Sequence, residues 1–145
     1  MTMSGMPVSL LPHHRWITVI ALLATLVAEA QYCYDGRGAM IGRIDGNYVY
    51  DGGGAMIGRM DGNYMYDGRG GMLGRVDGNY YYGADGGMIG RVDGNYVYNG
   101  KGAMIGRMDG NYLYDGTGRT IGRIDGVEQP IAILFYYYYF NRPVE

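Results

Sequence analysis

Residues Ile41 to Gly68 read "IGRIDGNYVYDGGGAMIGRMDGNYMYDG", one phrase written twice with small changes. Asp-Gly-Asn-Tyr begins at Asp45, Asp61, Asp77, Asp93 and Asp109, a period of 16 residues. Glu29-Ala30-Gln31-Tyr32 falls in register before the first copy, and Asp125-Gly126 after the last. Two tyrosine columns run through the array. One holds Tyr32, Tyr48, Tyr64, Tyr80, Tyr96 and Tyr112; the other lies two residues later, from Tyr34 to Tyr114. A Gly-Arg pair recurs from Gly42-Arg43 to Gly122-Arg123. A repeat this regular fixes the architecture before local propensity is weighed.

Within one copy, Tyr48-Val49-Tyr50 alternates and Met56 to Met60 forms a run of strand length, with Asp, Gly and Asn between them. Period-two patterning between such punctuation predicts β-hairpins. Gly and Asn accept the positive φ that tight hairpin turns require. A turn at Asp45-Gly46 would pair Arg43 with Tyr48. A turn at Gly46-Asn47 would pair Arg43 with Tyr50 and Ile44 with Val49. Both registers assign the same faces. Met40, Gly42, Ile44 and Val49 form the expected core face; Ile41, Arg43, Tyr48 and Tyr50 form an amphipathic one, with Arg able to lie over a Tyr ring.

A lone hairpin is marginal in water, so the copies must pack on one another. Open stacks carry divergent caps, yet this array starts with a standard copy. It opens with a half-repeat, Tyr32 to Tyr34, and closes with another, Ile121 to Asp125. Pairing these halves would remove both free edges. The expected fold is all-β: tandem 16-residue β-hairpin repeats closed into a ring, flower-like or barrel-like rosette in preference to an open spiral, with five or six petals.

The chain divides into 1–30, 31–126 and 127–145. His13, His14 and Arg15 precede an apolar stretch from Trp16 to Val27, and Ala28-Glu29-Ala30 gives the small-x-small pattern of a signal-peptidase site. This predicts a cleavable N-terminal signal helix, cut between Ala30 and Gln31, and an exported protein in the periplasm, at the cell surface or outside the cell. The apolar stretch is shorter than the roughly 20 residues of a membrane span, and no transmembrane span is expected in the mature chain. The formal charge of −2 offers no basic field for nucleic acid. Cys33, the single cysteine, occupies the column of Val49 and Leu113 and reads as a small buried apolar residue.

After Gln31 the sequence contains no His, Ser or Trp, one lysine (Lys101), and two threonines, Thr117 and Thr120. Nucleophile–histidine chemistry and a histidine-ligated metal are excluded. The Asp residues recur at turn positions, whereas catalytic sites are singular, so no enzyme, cofactor or metal site is expected. The Asp-Gly turns lack the spaced carboxylates of an EF-hand, and the turn-forming role of Asp is favoured. The candidate ligand-binding surface is the set Tyr48, Tyr50, Tyr64, Tyr66, Tyr80, Tyr82, Tyr96 and Tyr98 with Arg43, Arg59, Arg75 and Arg91. These tyrosines could stack sugars or simply pack across strands.

The period breaks after Gly126, and Pro130 precedes the run Ile131 to Phe140. Its β-branched and aromatic content predicts a strand, an aggregation hazard if left uncovered. It is expected to pair along an edge, to plug the axis, or to serve as a contact for a partner or a second copy.

The Ile41–Gly68 phrase, with its Ile-Gly-x-Ile-x-Gly and Tyr-x-Tyr-Asp rhythm behind a signal peptide, resembles the small exported bacterial five-fold beta-flower proteins over nearly the whole mature chain. The resemblance implies hairpin petals about a pseudo-rotational axis and no established activity. Five hairpins joined by Asp-Gly-Asn suit that number; the half-repeats at each end depart from it and keep six petals open. Tyr112-Leu113-Tyr114-Asp115-Gly116-Thr117-Gly118-Arg119 also resembles, more weakly, the tyrosine-aspartate (YD/RHS-type) repeats of large bacterial shell proteins. The expected role is a structural or interaction module of the cell envelope, with a protein or glycan partner. The alternative is a carbohydrate-binding module using the tyrosine rows.

Overall fold

The computed structural model describes residues 29–127 and 129–140. The expected signal helix lies outside the described residues. Twelve strands follow in order: β1 Gln31–Asp35, β2 Met40–Asp45, β3 Tyr48–Asp51, β4 Met56–Asp61, β5 Tyr64–Asp67, β6 Met72–Asp77, β7 Tyr80–Gly83, β8 Met88–Asp93, β9 Tyr96–Asn99, β10 Met104–Asp109, β11 Tyr112–Asp115 and β12 Thr120–Ile124. Each pairs antiparallel with its sequence neighbours, and β1 pairs with β12 to close a barrel. The seam joins Cys33 to Ile124, Tyr34 to Arg123 and Asp35 to Gly122. The two half-repeats therefore make a sixth petal, and no sheet edge is left exposed.

Each continuous hairpin adopts the register in which Arg43 faces Tyr50 and Ile44 faces Val49. The turn is Gly46-Asn47. Gly46 has φ 56°, and among the described residues no other amino acid has positive φ, so glycine alone supplies the left-handed position. This is the glycine-first pattern of a type II′ turn. At the opposite end, an Asp side chain organises the longer loop. Asp51 Oδ1 accepts hydrogen bonds from Gly53 N and Ala55 N, both at 2.9 Å. Asn99 does the same for Lys101 N and Ala103 N. In the fourth copy, Asp85 takes over from two places along, accepting from Gly87 N.

The inward wall carries the Cys33–Val49–Leu113 column and the Ile44–Ile124 column, with Cys33, Val97, Leu113 and Ile124 fully buried. One expected face is corrected. Met40, Met56, Met72, Met88 and Met104 are not core residues; they are 40–44% exposed. Ile41 and its equivalents, expected on the outer face, instead pack against the core. The cause is a β-bulge between petals. Val49 pairs with Gly58, but the next partner of Tyr50 is Met56, so Ile57 is the extra residue and the alternation resets.

The C-terminal segment is corrected as well. Gln129–Ile133 is an α-helix (α1), and Leu134–Tyr138 continues it as a π-helical turn, where a strand was expected. It fills the barrel axis, and Ala132 to Tyr138 are all buried. The rings of Phe135 to Tyr139, named as a contact for a second copy, are spent inside their own barrel. Burying each such side chain contributes roughly 1.5–3 kcal/mol.

Candidate functional site

The wall has two chemically distinct faces, and the sequence-derived candidates all lie on the outer one. Tyr32, Tyr48, Tyr64, Tyr80, Tyr96 and Tyr112 are 45–48% exposed. Tyr50, Tyr66, Tyr82 and Tyr98 are half-buried because an arginine covers each ring. Arg43 lies over Tyr50 at 4.1 Å, and Arg59, Arg75 and Arg91 lie over Tyr66, Tyr82 and Tyr98 at 4.2–4.3 Å. Arg123 lies over Tyr34 at 4.5 Å across the seam, so the sixth petal repeats the contact. Between petals, Tyr48 pairs with Arg59 and Tyr64 with Arg75. Each guanidinium thus stands between a covered ring of its own petal and an exposed ring of the petal before.

Carboxylates complete the outer pattern. Arg59 approaches Asp61 at 3.6 Å, Arg75 and Arg91 approach Asp77 and Asp93 at 3.8 Å, and Arg123 meets Asp125 at 2.6 Å. These partners are solvent-facing, so each pair is worth at most about 1 kcal/mol. The structure brings all twelve candidate residues into one girdle that encircles the barrel, with the exposed methionines beside it. It does not gather them into a concavity. One cleft lies by Gln31, Tyr32, Tyr34, Asp125 and Gly126, and another at the barrel mouth between turns of the first petals and Pro130, Ile131 and Leu134.

The concave surface is the lumen, walled mainly by aliphatic side chains and glycines, and the protein's own C-terminal segment occupies it and brings the tyrosines. Gln129 anchors the entry, its Nε2 donating to Gly94 O at 3.0 Å. Four hydroxyls then reach the wall. Tyr136 donates to Tyr34 O at 2.6 Å, Tyr137 to Tyr114 O at 2.6 Å, Tyr138 to Tyr98 O at 2.7 Å and Tyr139 to Tyr82 O at 2.7 Å. A second carbonyl, that of Arg123, Arg107, Arg91 or Arg75, lies 2.9–3.2 Å from the same oxygens. A phenol has one proton, so the nearer carbonyl takes it. Tyr81, the aromatic member of the inward column, stacks on Tyr138 at 4.5 Å.

Burial sets the electrostatics of this interior. It pushes the Tyr136, Tyr137 and Tyr138 phenols above their ordinary value of 10.0. It raises Tyr81 to about 12, with Tyr139 adding a smaller contribution. The buried Cys33 thiol is likewise pushed up to about 12, which leaves it unreactive at neutral pH. Asp115 is lowered, chiefly by the hydrogen bond it accepts from the Thr117 hydroxyl. Among the described residues no group of three or more His, Cys, Asp or Glu side chains could hold a metal. The loop residues Asp35, Asp51, Asp67, Asp85 and Asp115 each already accept backbone N–H groups through Oδ1.

Sequence reading placed Gly42 on the core face but missed what the lumen glycines admit. Gly42, Gly58, Gly74, Gly90, Gly106 and Gly122 face the rings of Phe135, Phe140, Tyr139, Tyr138, Tyr137 and Tyr136 respectively. A Cβ at any of them would come within 3.0 Å of a ring atom. The available signal was numerical: six Gly-Arg pairs spaced 16 residues apart, from Gly42-Arg43 to Gly122-Arg123, and six consecutive aromatic residues, "FYYYYF". A comparison with protein families matches residues 30–140 to the model described as 5-fold beta-flower protein. No curated protein and no solved structure matches the chain.

Proposed function

This chain belongs to the five-fold beta-flower family, and on that premise we propose that it is an exported, non-catalytic scaffold that presents its outer girdle to a partner in the cell envelope. The observation that carries the reading is the division of labour between the faces. The lumen is filled by the chain itself, whereas exposed Tyr and Met side chains, with Arg beside them, recur around the outside. Exposed aromatic residues flanked by arginine are the usual composition of protein contact surfaces. The absence of His and Ser after Gln31 supports a non-catalytic role. Export rests on the leader pattern of residues 13–30.

A photoreactive amino acid placed at Tyr64 or Tyr96 in growing cells tests the partner. The expected result is a discrete cross-linked species in the envelope fraction that is not formed from the loop tip at Gly53. No species, or equal labelling from Gly53, defeats the reading. The intact mass of the envelope form tests export separately. A mass beginning at Gln31 supports it, and a cytoplasmic protein with its mass beginning at Met1 defeats it.

A glycan partner is the second reading, favoured by exposed Tyr rings with Arg and Asp hydrogen-bonding groups alongside. The rings sit on the outside of a closed barrel, so each petal offers a separate platform. Binding on a glycan array that is lost on Tyr64→Ala and Tyr96→Ala together would establish it. An array silent at millimolar concentration removes it.

A further inference from the structure

The strands leave the number of petals open. Every junction between petals uses one register, Tyr48 with Arg59, Tyr64 with Arg75, Tyr80 with Arg91. The closing seam, Tyr34 with Arg123, repeats the pairing found inside each hairpin, Arg43 with Tyr50. Identical units with identical junctions contain no lock that stops closure at one number. The family description says five-fold, whereas this barrel has twelve strands and so closes at six petals.

The lumen does contain a count. Rings Phe135, Tyr136, Tyr137, Tyr138, Tyr139 and Phe140 meet Gly42, Gly122, Gly106, Gly90, Gly74 and Gly58. Each step forward along the segment is one petal backward around the wall, and the sequence of six is complete and without repetition. An ordinary α-helix turns roughly 100° per residue and would skip petals. The wider winding, with Tyr139 N bonded to Leu134 O at 3.0 Å, reduces that step. The segment thus takes a rare helical form where one ring must serve each petal.

We propose that the aromatic run is the gauge of the barrel: the sheet closes with as many petals as the segment has rings. Each niche is a glycine whose missing side chain admits one ring. A petal without a ring leaves a void beside bare backbone, and in the tyrosine-served petals it also leaves a carbonyl short of its phenol. A ring without a petal has no glycine to lie against and meets the wall side chains instead.

Four chains, each otherwise complete, test this: the native chain, one lacking Tyr139, one lacking the 16-residue block 69–84 that contains Gly74, and one lacking both. Circular dichroism and thermal melting are the readouts. Removing Tyr139 is expected to lower the melting temperature of the six-petal chain by about 10 °C or more and to raise that of the five-petal chain. This reversal of sign is the signature of a gauge. Ring removal that destabilises both chains, or a five-petal, five-ring chain that does not fold, overturns the proposal.

A second cycle keeps all petals. Gly122→Ala places a Cβ against the Tyr136 ring and, at 2.8 Å, the Tyr34 carbonyl; Tyr136→Ala relieves the ring part alone, so the two together should destabilise by less than the sum of their separate effects. Gly122→Ala with Tyr139→Ala should be additive, because Tyr139 serves another petal. Equal coupling in both pairs overturns the one-ring-per-petal assignment.

Discussion

The two faces of one wall both meet aromatic rings and depend on them to very different degrees. Outside, Tyr50 and its equivalents lie under an arginine while Tyr48 and its equivalents stand nearly half in water; inside, Phe135 to Tyr139 are buried in protein. Tyr64 is 45% exposed and Tyr136 is 1% exposed. The comparison teaches that in this barrel repetition and stability are separable. The repeated residues build a surface, and the unrepeated segment holds the repeats in place.

The sharpest way to break that contrast is to truncate one ring on each face. Tyr137→Ala should cost about 3–5 kcal/mol in urea unfolding, since it removes a fully packed ring and leaves a cavity. Tyr64→Ala on the girdle should cost less than about 1 kcal/mol, with its surface already half in water. Equal losses at the two positions would erase the distinction.

High pH probes the interior alone. The Tyr136, Tyr137 and Tyr138 phenols are raised in the folded state by burial, and Tyr81 to about 12. A group whose folded pKa lies above its unfolded value of 10.0 contributes stability that is whole below 10 and lost as pH rises through the folded pKa. Stability should therefore be flat from neutral pH to about 10 and fall above it. Ionisation of Tyr81, Tyr136, Tyr137 and Tyr138, read as tyrosinate absorbance missing from variants that lack them, should appear only with unfolding. Their ionisation in the folded protein near pH 10 would contradict the buried assignment.

Smaller effects sharpen the picture. Tyr137→Phe keeps the ring but removes the donor to Tyr114 O, and should cost about 1–3 kcal/mol. Phe135 and Phe140 already serve their petals without a hydroxyl, so this substitution should preserve the fold. Arg59→Ala removes a cation–π contact at 4.3 Å and a surface ion pair, and should cost about 0.5–1 kcal/mol. Asp51→Asn should be close to neutral by thermal melting, because Asn99 performs the same loop role unaided.

Much of the outline was legible in the residues. The period gave the hairpins, and the terminal half-repeats gave the seam; both follow from local rules of turn chemistry and edge avoidance. The girdle's arginine–tyrosine contacts were also legible, because cross-strand neighbours follow from register. The exchange of Met40 for Ile41 was not. Both are apolar, so alternation cannot say which faces in, and the bulge that decides it is a property of pairing between petals. A plug of the axis was among the expected alternatives, but its helical form was hidden for a different reason. Ile131 to Phe140 has strand-like composition, but a closed barrel has no edge for it to pair with. Inside the lumen its backbone must satisfy its own hydrogen bonds, and a helix does that.

The sequence by itself determined the repeating unit, the hairpin and the shared face of its Arg and Tyr columns, and it favoured pairing of the chain's two half-repeats; the structure chose between the two turns and registers it left open. These depend on neighbours a few residues apart or on identical units meeting identical units. Only the tertiary structure decided which apolar column faces inward, that the final segment is a helix, and that each Gly-Arg glycine is a seat for one aromatic ring. Those choices depend on a cavity that exists only once the ring of strands has closed, and no single repeat contains it.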